Sequence, residues 1–375
     1  MRVLHLIDSG GVYGAEVMLL SLVAAQRAAG IDAQIGSLGD RGEGERPLEA
    51  ECARRGIPCR KIRFNPAINV LAAAKILKGF EAEGVDLLHT HGYKADILFG
   101  MLLYPVRRIP IIATAHGWSE TRWCTKVALY QTLQRLSWRW IERVAAVADN
   151  SPAYRAQLRQ DHVVTIENGI NLDAAPSAVT NSELRRRIML YCKGRPAIGI
   201  VGRLSHEKGV DVLLSALHQL RSSGDECAVV VVGEGPERGR LEDFVAKNGL
   251  HDQVLFVGYV EGAGSLMSCF DLLVMPSRTE GLPITLLEAM AANVPVIASR
   301  VGQIGRVLEE GKCGLLIAPE DAGALAAGIR RLLQDNAYRE SLATRARVRV
   351  TDNYSMSKTA GEYTSQYDEL LCMKA

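Results

Sequence analysis

The chain has 375 residues, with 44 Lys and Arg against 42 Asp and Glu, a formal net charge of +2. That length exceeds one ordinary hydrophobic core and implies two domains of similar size, while the near-neutral charge argues against nucleic-acid binding, which a strong basic stripe would accompany. No run approaches the roughly 18 apolar residues of a membrane span. Residues 1–7 enter a strand pattern without a signal-peptide layout, and the eight cysteines show no CxxC spacing and read as reduced thiols, so a cytoplasmic protein is expected.

From the N-terminus, short apolar strands alternate with helical patterns at 3–7, 33–37, 58–62, 87–89, 111–114, 145–147 and 163–166. After a polar, Pro-containing link at 174–180, a second series follows at 197–201, 228–232, 254–257, 272–275, 296–298 and 315–317. Such alternation predicts two doubly wound α/β domains, 1–175 and 176–354, each with a parallel sheet. The stretch 355–375 reads as a closing helix with no strand after it. In such sheets a ligand sits beyond the strand C-termini, and with two domains the cleft between them is the expected site.

The first strand-to-helix turn reads DSGGVYGAE, with Gly10, Gly11 and Gly14 in the turn and Glu16 in the first turn of the helix, where the helix dipole favours a carboxylate. The spacing is not GxGxxG. The acid that would hold a nicotinamide ribose belongs at the end of the second strand, yet Asp32 precedes the predicted strand and Asp40 lies beyond it, so a dehydrogenase fits poorly. The segment 39–44 is glycine-rich and charged, and reads as a mobile loop. Arg54, Arg55, Arg60, Lys61 and Arg63 form a basic cluster that could meet an anionic membrane or acceptor. Two further strand ends carry histidines. His89 should alternate into the core, while His91 and His116 stand at strand exits. Residues 122–143 read as one helical pattern with Trp123, Trp138, Trp140 and several cations. They suit either a core stripe of Val127, Tyr130, Leu133 and Ile141 or a membrane surface, with the core stripe favoured.

In the second half, GRLSHEKGVDVLL places Gly202, Arg203 and Lys208 at a strand-to-helix turn, where two cations can neutralise a diphosphate. VVVVGEGP sets Gly233 after a buried strand, and Val260 follows the next one. The run 271–302 holds two carboxylates, Glu280 and Glu288, around a helix start. Pro283 suits the first helical position, and the free N–H groups of Ile284, Thr285 and Leu286 then form a ready phosphate site. Glu288 leans back toward that terminus. A phosphate site flanked by carboxylates that accept hydroxyls suggests a sugar nucleotide.

Glu280, Gly281, Pro283, Glu288 and the small-residue helix after them resemble the E-x7-E signature of retaining glycosyltransferases of family 4, and Arg203 and Lys208 match that family's pair of cations. The resemblance implies the GT-B fold of two facing Rossmann-like domains with an interdomain cleft, and a closing helix that crosses back to the first domain. It implies a nucleotide diphosphate sugar donor, UDP- or GDP-linked, held by Gly11, Gly202, Arg203, Lys208, Gly233, Val260, Glu280, Gly281, Leu282, Pro283, Ile284, Thr285, Leu286 and Glu288. Arg203 and Lys208 would stabilise the departing diphosphate, Glu280 and His116 would orient the sugar, and Glu288 would hold the ribose. Gly10, Gly14 and His91 would face the acceptor, a hydroxyl of a glycan or lipid-linked glycan in surface polysaccharide synthesis, with peripheral association at the inner membrane. Attack from the front face would retain the anomeric configuration. No cofactor is implied, and without a DxD motif no bound metal is expected. A GT-B sugar-nucleotide epimerase and a non-catalytic subunit of a polysaccharide assembly complex are the alternatives.

Overall fold

The structure is a computed structural model, and it describes every residue except 13, 65–69, 103–106, 116–125, 148–152, 157, 159–161, 173–181 and 374–375. The chain divides into two compact units, one of Met1–Gly169 with Met356–Ala375 and the other of Ile170–Ser355.

In the first unit, strands β1 (Arg2–Ile7), β2 (Asp32–Asp40), β3 (Cys59–Phe64), β4 (Leu87–His91), β5 (Ile111–Ala115), β6 (Arg143–Ala146) and β7 (Val163–Thr165) form one sheet in the order β3-β2-β1-β4-β5-β6-β7, with all pairings parallel. The helices between them are α1 (Gly14–Ala28), α2 (Pro47–Arg55), α3 (Val70–Ala82), α4 (Tyr93–Gly100) and α5 (Lys126–Ser137). Strand order reverses between β1 and β4, and the two faces of the sheet pack separate apolar clusters, one around Leu4, Leu88 and Val144 and one around Ile7, Leu20 and Ile35.

Several expectations change here. Asp40 is the last residue of β2, because β2 stays paired with β3 as far as Asp40 opposite Phe64, so an acid does stand at that strand end, where it meets Lys94 at 3.3 Å. The glycine-rich segment is strand as far as Asp40, and at its end Arg63 donates to the Gly44 carbonyl at 3.0 Å. Each cation of the basic cluster has a carboxylate partner: Arg54 and Arg55 share Glu51, while Arg60 pairs with Glu83, Lys61 with Glu45 and Arg63 with Glu49. The helical pattern drawn through 143 ends at Ser137. Trp138 lies in the turn that follows, fully buried, and its indole N–H and the Gln134 amide both donate to Asp96 Oδ2, at 2.9 and 2.8 Å, while Arg143 opens β6. Arg122, Trp123 and the Val127 side chain lie outside the described residues.

The second unit opens with α6 (Ser182–Cys192). It continues through β8 (Ala197–Val201), α7 (Val210–Ser222), β9 (Ala228–Val232), α8 (Arg238–Lys247), β10 (Val254–Gly258), β11 (Leu272–Met275), α9 (Ile284–Ala291), β12 (Val296–Ser299), α10 (Ile304–Val307), β13 (Leu315–Ile317), α11 (Ala322–Gln334) and α12 (Asn336–Asn353). Its sheet is parallel in the order β10-β9-β8-β11-β12-β13, with the reversal between β8 and β11. Runs such as the fully buried AVVVV of β9 lack polar alternation because helices cover both faces.

The last helix, α13 (Met356–Cys372), belongs to the first unit and packs along α1. Buried Tyr367 there bonds His89 Nδ1 at 2.7 Å and accepts from the Gln26 amide at 3.0 Å, and Tyr363 bonds Thr114 at 2.8 Å. Among the described residues no helix is long and apolar enough to cross a membrane.

Candidate active site

In doubly wound sheets the loops after the two strands flanking the reversal part to opposite sides and leave a crevice. In the second unit those strands are β8 and β11, and a pocket opens there, lined by Gly202, Arg203, Lys208, Met275, Ser277 and Glu280 among others. Beyond β8, the Gly202 N–H still bonds the Val232 carbonyl at 3.0 Å, and the chain turns through a short 3-10 segment, His206–Lys208, into α7. Gly233 follows β9 with φ 144°, and a Cβ there would stand 1.9 Å from the Gly202 carbonyl oxygen. The loops after β8 and β9 thus pack main chain on main chain, which only glycine permits.

Among the described residues, one ion pair stands in this pocket beside a lone guanidinium. Lys208 Nζ lies 2.6 Å from Glu280 Oε1, and the buried Ser277 hydroxyl donates to the same oxygen at 2.8 Å. Glu280 is 8% exposed and Lys208 32%. An ammonium has three N–H donors, so two remain for a phosphate. Of the two cations at this turn, Lys208 is thus already paired, while Arg203 is exposed and has no ion pair for its guanidinium among the described residues.

Glu288 sits on α9 with its carboxylate directly beneath Gly264, where an added Cβ would come within 2.7 Å of Oε1. It has no hydrogen-bond partner among the described residues, and burial pushes its pKa up to about 7. A half-buried carboxylate without a side-chain partner among the described residues suits a ligand that brings its own donors, such as vicinal hydroxyls.

The start of α9 differs by one residue from the expected layout. Pro283, with φ −76° and ψ 124°, is the capping residue rather than the first helical one, and the Leu286 N–H is already donated to the Pro283 carbonyl at 3.1 Å. Proline fits here because its φ is preset and an extended ψ turns the chain into the helix. The N–H groups of Ile284 and Thr285, which have no carbonyl a turn behind them, remain for an anion. Gly281 and the buried Leu282 complete the approach, and the Gly281 carbonyl accepts from Gln303 at 3.1 Å. At Gly302 (φ 52°) a Cβ would stand 2.0 Å from the Glu280 carbonyl, so this close crossing holds the Glu280 segment from behind. Val260 follows β10 and packs against the apolar cluster under α9.

In the first unit, Gly10 and Gly11 lie in the turn after β1 and Gly14 opens α1. His91 stands at the end of β4 but is buried, with Nε2 3.1 Å from His5 Nδ1. Residues two apart on a strand share a face, so His91 follows His89 into the interior instead of toward an acceptor. His116 lies outside the described residues.

Sequence reasoning passed over Ser277, Gly264, Gly302 and Arg278. Arg278 carried no signal beyond its place two residues before Glu280, yet its guanidinium makes a two-pronged bond to Asp211, at 3.0 and 3.0 Å.

The model of the family described as glycosyl transferases group 1 matches residues 183–349, and that of glycosyltransferase family 4 matches residues 12–174. The 2-deoxystreptamine glucosyltransferase of Streptomyces kanamyceticus is 30% identical over 308 residues, covering 76% of this chain and 78% of its own. The alpha-D-kanosaminyltransferase of the same organism is 28% identical over 299 residues, covering 75% and 76%. The crystal structure of Anabaena Alr3699/HepE in complex with UDP-glucose superposes with a TM-score of 0.81 at 22% identity, covering 98% of this chain and all of that one. The fold is thus GT-B, with two parallel-sheet α/β units.

Proposed function

Because the chain belongs to the group 1 glycosyltransferases and is an enzyme of that kind, we propose that it moves a sugar from a nucleoside diphosphate sugar to a hydroxyl with retention of configuration. The observation that carries this reading is the pocket at the β8/β11 reversal, with exposed Arg203 and the Lys208–Glu280 pair at its wall and the start of α9 four residues on. As the bond from the anomeric carbon to phosphate breaks, negative charge builds on the leaving oxygens. Arg203, the two remaining Lys208 donors and the Ile284 and Thr285 N–H groups stabilise it, the effect with most leverage in such a site. The acceptor oxygen bonds the anomeric carbon on the face the phosphate leaves, and its proton passes to the departing phosphate oxygen.

Glu280 Oε1 is already shared by Lys208 and Ser277, which leaves Oε2 for a sugar hydroxyl, while Glu288 takes the ribose hydroxyls. His116 is assigned to the sugar by resemblance. No metal is given a part, since these cations and N–H groups take the diphosphate charge.

UDP is the first nucleotide to test, since Alr3699/HepE was crystallised in complex with UDP and with UDP-glucose. The acceptor class is a glycan or lipid-linked glycan hydroxyl in surface polysaccharide synthesis. Exposed Leu129, Leu136 and Trp140, with Arg135 and Arg139 beside them, offer a peripheral contact to the cytoplasmic face of a membrane.

The test is nucleoside diphosphate release from UDP-, GDP- and ADP-sugars by the full chain, with and without a glycan acceptor panel, in EDTA. Acceptor-dependent release is expected, and Arg203→Ala should cut it about 100-fold with the melting temperature unchanged. An epimerised donor with no acceptor product, or loss of activity only in step with loss of fold, would overturn the reading.

A further inference from the structure

The Lys208 turn and the Glu280 loop come from strands far apart in sequence, and both are held by one residue, Arg278, whose hydrogen bonds among the described residues go to neither Lys208 nor Glu280. Arg278 is 16% exposed. Its main-chain N–H donates to the Glu207 carbonyl at 2.8 Å, and its Nη1 donates to the His206 carbonyl at 2.7 Å, so it grips the two residues immediately before Lys208. Its Nη1 and Nη2 meet Asp211 Oδ1 and Oδ2 at 3.0 and 3.0 Å in the first turn of α7, just after Lys208. Its Nε donates to Glu320 Oε1 at 2.9 Å, from the loop after β13. Glu320 is held at φ 62°, a conformation that side-chain-bearing residues seldom adopt. The guanidinium thus ties the loops after three strands, β8, β11 and β13, with Lys208 bracketed between its contacts and Glu280 two residues further along its own loop. A planar five-donor fork can do this; an ammonium cannot reach the same set at once.

We infer that Arg278 is a positioning residue for the transfer reaction, setting the distance between the diphosphate cation Lys208 and the sugar-side carboxylate Glu280 through its clamp on Asp211 and the His206–Glu207 carbonyls. The inference rests on the nucleoside diphosphate reading of this pocket. It gives the 2.6 Å Lys208–Glu280 contact a cause outside the pair itself. An ordinary surface bridge would add little and depend on salt. A clamp of five bonds centred on a side chain only 16% exposed instead fixes where two opposite charges stand before a substrate arrives, and misplacement by about 1 Å is enough to cost rate.

The experiment is a double-mutant cycle on the full chain, titrating UDP, GDP and ADP calorimetrically into wild type, Arg278→Lys, Lys208→Ala and the pair, with melting temperatures in parallel. Asp211→Asn, alone and with Lys208→Ala, repeats the cycle should Arg278→Lys fail to fold. Arg278→Lys should weaken the nucleotide that binds by about tenfold, as should Lys208→Ala. The pair should bind no more weakly than Lys208→Ala alone, because both changes remove the same placed ammonium. A clamp that only supports the fold would lower the melting temperature and leave affinity unchanged, or give additive losses, and either result rejects the inference. If wild type binds none of the three nucleotides, the reading of the pocket fails first, which separates the two outcomes.

Discussion

Glu288 is a residue whose charge state responds to pH near neutrality. Its carboxyl holds a proton up to about pH 7 in the folded chain, against 4.5 ordinarily, because burial disfavours the charge. Folded chains therefore bind more protons than unfolded ones between those values, so this group's contribution is fully present below 4.5 and is lost as pH rises through about 7. Glu288→Gln removes the penalty. It should stabilise the chain at pH 8 by about 1 kcal/mol, less than the full shift implies because solvent reaches the group, with little gain at pH 4. Thermal melts at both values check this, and equal gains at both would show that the carboxyl is not the cause. The two glutamates and both cations were visible in sequence because their spacing has a chemical meaning. Their partners were not: Lys208 and Glu280 are 72 residues apart, and Arg278 and Asp211 67, so nothing local marks the pairs.

At the scale of elements, strands were legible to within about three residues, most clearly where burial on both faces leaves uninterrupted apolar runs, as in β9. Ends were less so. β2 runs on to Asp40 because pairing with β3 continues there, and α5 stops at Ser137 because Trp138 turns inward to Asp96, neither of which composition reveals. The way α13 docks was equally hidden. It rests on a polar network of Tyr367, Gln26, His89, Thr114 and Tyr363 inside the first unit. Tyr367→Phe keeps the ring and strips the hydroxyl from His89 and Gln26, so it should lower unfolding free energy by about 2 kcal/mol through groups left without a partner. Chemical denaturation measures it. A midpoint equal to wild type would mean that α13 is held by its apolar face alone.

Across the whole molecule, the same order of six strands appears twice, with β7 added in the first unit and the reversal between β1 and β4 in one unit and between β8 and β11 in the other. The alternation of strands and helices in the sequence implied parallel sheets but not this order, which depends on which crossover each helix makes. The order explains why Gly202, Arg203 and Lys208 share a pocket with Ser277 and Glu280: their two loops leave neighbouring strands at the one place where crossovers part. The central claim is that this pocket holds a nucleoside diphosphate. Calorimetric titration of UDP, GDP and ADP into wild type, Arg203→Ala and Glu288→Gln tests it most directly. One nucleotide should bind wild type and lose about tenfold or more in each variant, a change of roughly 1.4 kcal/mol. Binding that is indifferent to both substitutions would place the nucleotide elsewhere and contradict the account.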